Sequence, residues 1–207
     1  MWVDFIYLMA PFMARYGQIT GERQHVDEAF RQYEVHAQHL IDPFTHLARH
    51  AWCETPNHYP QSTLWARGNG WLVCAAVDLL EIAPDHERAK YLADTCRAAL
   101  LAMQSLQDRS GFLRHILDDP FSKYEASSTV MFAYAAAKAA ERGLVGKELV
   151  ESALNGWRAV ALSIQEDGSV PGVAVPPGGP GVPFGSTLFG QGFFLLATHA
   201  LRKQLDA

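Results

Sequence analysis

The sequence holds only three cysteines, Cys53, Cys74 and Cys96, and no CxxC pair. An odd, scattered set cannot close a disulfide framework or a thiolate zinc site, so a reducing compartment is expected. No block of lysine and arginine occurs and the net charge is −5, which argues against a nucleic-acid or anionic-membrane surface. Long apolar runs are missing as well. The run Phe5–Met13 falls well short of the about 20 residues that span a bilayer. The opening MWVDFIYLMA has neither the basic region nor the cleavage site of a secretory signal. Asn-x-Ser/Thr acceptors, HExxH, GxSxG and a P-loop are all absent, and GNG and GQG are too short for a dinucleotide fingerprint. The expectation is a cytoplasmic protein with no cofactor, no metal and no nucleic-acid or membrane partner.

What is present is helix. The chain has 207 residues, 49% of them hydrophobic and 19% charged, which suits one globular domain over 1–207. Ala-, Leu- and Met-rich runs predict helices over 5–16, 23–41, 69–82, 86–106, 127–142, 146–164 and 187–204, with Pro11 kinking or interrupting the first. GQITGE, APDH and RGLVG are short turns, each closing an antiparallel helix pair. Long loops separate the pairs. Each starts after a similar segment, HLIDPFTHL, SLQDRSGFL or SIQEDGSV, so Asp42, Asp108 and Asp167 mark an internal repeat. Repeated αα-hairpins place their long loops at one end, where function usually collects. The expected fold is all-α, a solenoid or αα-toroid. The last helix lacks a hairpin partner within the sequence. The Gly/Pro-rich loop 168–186 reads equally as a wall or a lid.

Candidate chemistry lies in those loops. WARGNGW carries Arg67 between Trp65 and Trp71. An Arg fork suits a carboxylate and tryptophan faces suit sugars, although an Arg–Asp pair beside two core tryptophans explains the same residues. RHAWCE adds Arg49, His50, Trp52 and Glu54. His36 and His39 share a helix face but bring no further metal ligands, so a solvated or hydrogen-bonded pair is expected. Asp4 stands alone among Trp2, Phe5 and Tyr7, where a helix cap is the local reading.

Several segments together resemble one family. WVDFIYLMAPFMARYG, RHAW, WARGNGW, YEASSTVMFAYAAAKAAERG and FGQGFFLLA follow the order of motifs in the unsaturated rhamnogalacturonyl hydrolases, glycoside hydrolase family 105. The resemblance covers this chain but only the C-terminal half to two-thirds of the family's domain. It implies a partial (α/α)6 barrel whose substrate is a small oligosaccharide ending in a C4=C5-unsaturated galacturonic acid. It implies hydration of that double bond, with Asp4 as acid/base and His50, Arg67, Trp71, Trp52 and Trp65 around the sugar. Phe5 departs from the glycine that follows the family's Asp, and the family's second important Asp lies in the portion not matched. A barrel cut in this way exposes apolar helix faces, so a homo-oligomer covering the open edge is one expectation. The related family 88 of unsaturated glucuronyl hydrolases is the alternative enzyme, and an inactive helical remnant the alternative of another class.

Overall fold

The computed structural model describes residues 1–176 and 181–205. The residues 177–180 of the Gly/Pro-rich loop lie outside that set. Among the described residues seven helices form: α1 (Phe5–Thr20), α2 (Arg23–Leu40), α3 (Ala66–Ile82), α4 (Ala89–Ser105), α5 (Ala126–Glu141), α6 (Lys147–Ala161) and α7 (Leu188–Leu205). They make an arc two layers deep. Helices α1, α3, α5 and α7 pack side by side as an inner layer, and α2, α4 and α6 back onto them as hairpin partners.

Composition decides which layer a helix joins. Every residue of α3 is buried except Asp78 and Glu81, and α5 is buried along nearly its whole length. Helices apolar on all sides must be wrapped on all sides. The outer helices are one-faced: α6 buries Leu149, Ala153, Gly156 and Val160, a single stripe at helical spacing. None of the described helices is long and apolar enough to cross a membrane.

The long loops carry short antiparallel ribbons, β1 (Ala51–Cys53) with β2 (His58–Gln61), β3 (Leu113–Arg114) with β4 (Tyr124–Glu125), and β5 (Val173–Ala174) with β6 (Phe184–Gly185). Each loop hooks onto the start of the preceding inner helix. Trp2 bridges Ala51, Trp65 bridges Ile116, and the Ala126 N–H donates to the Gly172 carbonyl. The inner helices therefore all begin at the loop end, with their N-termini gathered there.

The aspartate repeat is a physical unit. Asp42 accepts the backbone N–H groups of Phe44 and Thr45 and pairs with Arg49 at 2.7 Å. Arg49 donates onward to the Ser62 carbonyl and lies over the Tyr59 ring. Asp108 repeats each contact: the Ser110 N–H, Arg114 at 3.0 Å, the Ser122 carbonyl and the Tyr124 ring. The Ser110 N–H first, then the Ser110 and Tyr124 hydroxyls and Arg114, hold the Asp108 pKa down at about 2. At Asp167 only the turn survives, through the Ser169 N–H.

Four boundaries lie three residues or more from the sequence reading: α4 starts at Ala89 instead of 86, α6 ends at Ala161 instead of 164, and the other two lie at glycines. Helix α1 continues uninterrupted through Pro11 and Gly17 and stops only at Gly21, whose φ of 75° is left-handed. Helix α3 starts at Ala66, so Gly68 and Gly70 lie inside it. A Cβ on Gly68 would come within 2.6 Å of Val3 Cγ1, and one on Gly70 within 2.9 Å of Met131 Cε. They are glycines because helix and side chains close up there, not because a loop turns. Nearby, Asn69 accepts the Ala48 N–H and donates to the Ala48 and Trp65 carbonyls, pinning the first long loop to α3.

One edge of the arc is bare. Phe5, Leu8, Phe12, Tyr16 and Ile19 form an exposed stripe along α1, with Phe12 70% and Ile19 78% accessible. At the other end, Leu188 and Leu195 of α7 are also exposed. Spacing of 3 and 4 residues puts the α1 stripe on one face. It is the unpartnered helix face expected of a partial toroid.

Candidate active site

Asp4 occupies the N-cap position of α1 but does not cap it. Its backbone is already helical (φ −57°, ψ −38°) and its side chain accepts no backbone hydrogen bond from the helix. The carboxylate points instead to His50, with Oδ2 3.6 Å from Nε2. That gap is beyond a hydrogen bond, so the contact is one of charge and position. The desolvation expected from Trp2 and Phe5 is only partial: both rings are exposed, and the Asp4 side chain keeps 31% of its surface accessible.

His50 is buried and held on three sides. Its carbonyl accepts the Val3 N–H and its own N–H donates to the Thr63 carbonyl. Its ring meets the edge of Trp2 at 5.1 Å and leans on Trp65 at 4.5 Å. Trp65, directly before α3, has its other neighbour in Arg67, whose guanidinium carbon is 4.6 Å from the Trp65 ring centre and 4.9 Å from that of Phe189. The Trp65 indole N–H is buried without an acceptor.

Arg67 is 2% accessible, so it must be paired. Nη1 donates to the Ala174 carbonyl at 2.8 Å and to Glu125 Oε1 at 3.2 Å. Burial lowers the Arg67 pKa from its usual value, while the charges of Glu125 and Asp4 oppose the shift. Its strong hydrogen bonds leave from Nη1 alone, so Nη2 and Nε keep donors for a ligand. Glu125 is wholly buried and fully engaged. It accepts the Ser128 N–H at 2.6 Å as the cap of α5, the Ala174 N–H at 3.0 Å, and the Ser127 hydroxyl.

The arrangement is thus a solvent-facing carboxylate, a buried imidazole and a half-occupied guanidinium, at the N-terminal ends of parallel helices. Those ends carry partial positive charge. An acid/base group beside a seat for an anionic sugar is the chemistry it can support.

Comparison with known proteins agrees with this architecture. Residues 1–205 match the family model described as Glycosyl Hydrolase Family 88. The chain belongs to glycosyl hydrolase family 88. The unsaturated rhamnogalacturonyl hydrolase YesR of Bacillus subtilis is 30% identical over 172 residues, covering 82% of this chain and 48% of YesR. A crystal structure from Salmonella enterica, described as a possible member of family GH105, superimposes with a TM-score of 0.93. It is 30% identical, covering 99% of this chain and 57% of that one. A second such structure, from Klebsiella pneumoniae, gives 0.92 at 32% identity, covering 99% and 56%. The chain therefore spans about half the length of these relatives.

Within this family member, Asp4, His50, Trp65 and Arg67 come together as the sequence suggested. Trp71 sits one turn below Arg67, nearly buried, stacked on Tyr7 at 5.0 Å and edge-on to Phe193 at 5.4 Å. Its ring is a floor beneath the mouth rather than an open platform. Trp52 is turned away: it stacks on His39 at 4.1 Å and donates to Asn57 Oδ1. The His36 Nδ1–H donates to the Gln32 carbonyl at 2.8 Å, and burial lowers the His36 pKa. The two histidines share no ligand, and no metal-holding cluster occurs among the described residues.

Glu125 is the residue that sequence reasoning missed. The signal was present, since YEASS places an acid directly before a helix and next to hydroxyls. The expected partner of Arg67 was an aspartate; the structure supplies this glutamate, 58 positions on. Removing one member of a buried pair strands the other, at a cost of about 3–5 kcal/mol. Glu125→Ala is expected to show that loss in urea titration. The paired Arg67→Met/Glu125→Leu change should cost clearly less than the two single losses summed; additive losses would contradict the coupling.

Proposed function

We infer that this family member contributes the catalytic mouth of an unsaturated uronyl hydrolase, with Asp4 as acid/base group. The observation that carries the reading is the Asp4 carboxylate: placed at a helix N-cap, released from capping, set beside His50, and near enough to Arg67 for its charge to act there. In the proposed reaction Asp4 donates its proton to C4 of the C4=C5 double bond, and positive charge forms at C5 next to the ring oxygen. Water adds at C5 and returns a proton to Asp4. The resulting hemiketal opens and the glycosidic bond is lost, so Asp4 ends as it began. Arg67 would hold the uronate through its unused donors. His50 would orient the water or the sugar hydroxyls.

The favoured substrate is an unsaturated galacturonyl–rhamnose unit from rhamnogalacturonan, as in pectin breakdown, supported by the similarity to YesR. An unsaturated glucuronyl substrate is the second reading, kept by the match to the family 88 model. A cytoplasmic location fits the three free thiols. The exposed stripe on α1 supports a homo-oligomer in which a second copy covers the bare edge.

Two measurements test this reading. With unsaturated galacturonyl–rhamnose, the ultraviolet absorbance of the conjugated double bond should fall. Asp4→Asn should slow that fall by about 10²-fold or more, with stability unchanged within about 0.5 kcal/mol; unchanged turnover would remove Asp4 from the mechanism. In sedimentation, the 207-residue chain should run above its 22.9 kDa monomer mass, and Phe12→Glu should return it to monomer. A monomer at every concentration would rule out the covering copy.

A further inference from the structure

The first two long loops share one plan, and in both it ends at a charged group of the candidate mouth. Trp2 bridges Ala51 and Trp65 bridges Ile116. The Val3 N–H donates to the His50 carbonyl and the Ala66 N–H to the His115 carbonyl, each at 3.0 Å. Each histidine N–H donates in turn across its own loop, to the Thr63 carbonyl at 3.1 Å and to the Lys123 carbonyl at 2.7 Å. Trp2, Val3 and Asp4 thus match Trp65, Ala66 and Arg67, while Arg49 and His50 match Arg114 and His115. Asp4 and Arg67 each come directly after the helix-start amide that a histidine carbonyl holds.

The arginine before each histidine clamps its loop at the base. Arg49 joins Asp42, where the loop begins, to the Ser62 carbonyl near its end, using Nη2 and Nη1. Arg114 joins Asp108 to the Ser122 carbonyl with the same two nitrogens. A planar fork with donors in fixed directions suits such a tie. The third loop differs. Its Gly172 carbonyl accepts the Ala126 N–H in the same way, but Pro171 and Gly172 stand where the other loops have Arg and His. The residue after that amide is Ser127, whose hydroxyl donates to Glu125. Without the arginine clamp, the position after the amide carries no charge.

We propose that Arg49 and Arg114 are positioning residues, Arg49 for Asp4 and His50, and Arg114 for Arg67. Each acts through the histidine carbonyl and the helix-start amide that its loop fixes. Asp4 makes no capping bond and lies 3.6 Å from His50, so the backbone at Val3 and His50 sets their separation. Arg67 is tethered at its tip through Nη1, so a shift of its backbone turns the rest of the fork. A misplacement of about 1 Å can cost about 10²-fold in rate.

This inference rests on the hydrolase reading of the mouth, so one readout is independent of turnover. Arg49→Met and Arg114→Met each remove one fork and keep the stem. In Arg49→Met, hydrogen exchange should show the Val3 N–H losing at least about tenfold protection, with the Ala66 N–H within about twofold. Arg114→Met should give the reverse. On unsaturated galacturonyl–rhamnose, Arg49→Met should lower kcat about tenfold with KM within about twofold, because Asp4 and His50 act in the chemical step. Arg114→Met should instead raise KM about tenfold with kcat within about twofold, because Arg67 holds the uronate. Asp42→Asn and Asp108→Asn keep the oxygen that serves each turn and replace the one that meets the arginine. They should repeat each pattern more mildly, and they serve where a methionine variant does not fold. Unchanged protection at Val3 and Ala66 in all four variants would overturn the clamps. So would a lowered melting temperature with kcat and KM moving alike in both arms, since that describes loop support alone. Selective loss of protection in a protein whose native form turns nothing over would uphold the clamps and reject the hydrolase reading.

Discussion

A guanidinium buried between two aromatic rings cannot stand alone, and the pairing of Arg67 with Glu125 organises everything around it. Glu125 serves three masters at once: it neutralises Arg67, caps α5 through the Ser128 N–H, and receives the Ala174 N–H from the third long loop. Arg67 in turn donates to the Ala174 carbonyl. One ion pair thereby welds the start of α3, the start of α5 and the β5 ribbon. With the fork anchored at Nη1, its guanidinium also lies against the Trp65 and Phe189 rings. Trp65 then sets His50, and His50 faces Asp4.

The division of labour between the layers follows from the same economy. Helices α3 and α5 are apolar enough to be surrounded, so the few polar groups on them carry specific duties: Arg67 and Asn69 at the loop end, Asp78 in the middle, Glu81 with Lys138 near the far end. Helix α1 is different. It carries Asp4 on a turn whose outward face is bare, and it is held by Tyr7 from within and by the Val3–His50 backbone bond at its start. The position of the Asp4 carboxylate is therefore set by contacts inside the arc.

Much of this was legible before any coordinates. Helix periodicity and the spacing of short turns located all seven helices and their hairpin pairing, because amphipathic and all-apolar runs leave strong local signals. The aspartate repeat was visible as a recurrence, yet its content, an Asp–Arg pair closing on a carbonyl and a tyrosine, was not. The three ribbons were invisible, being two to four residues long and too short for an alternating pattern. Gly17, Gly68 and Gly70 misled for one reason: glycine marks turns and tight helix contacts alike, and only packing tells them apart. Arg67 drew notice as a cation between two tryptophans, whereas the roles expected of Asp4 and His50 came from the family resemblance. Glu125 was hidden because an acid before a helix looks like an ordinary cap, and Trp52 was over-read because nothing local shows which way a tryptophan faces.

The chemistry proposed for this arrangement depends on a double bond that Asp4 can protonate. The most direct measurement compares release of rhamnose from unsaturated galacturonyl–rhamnose and from its saturated counterpart by the same purified protein. The account predicts release from the unsaturated disaccharide alone. Equal release from both would contradict it, since a saturated uronate offers no C4=C5 bond and would have to be cleaved by attack at the anomeric carbon.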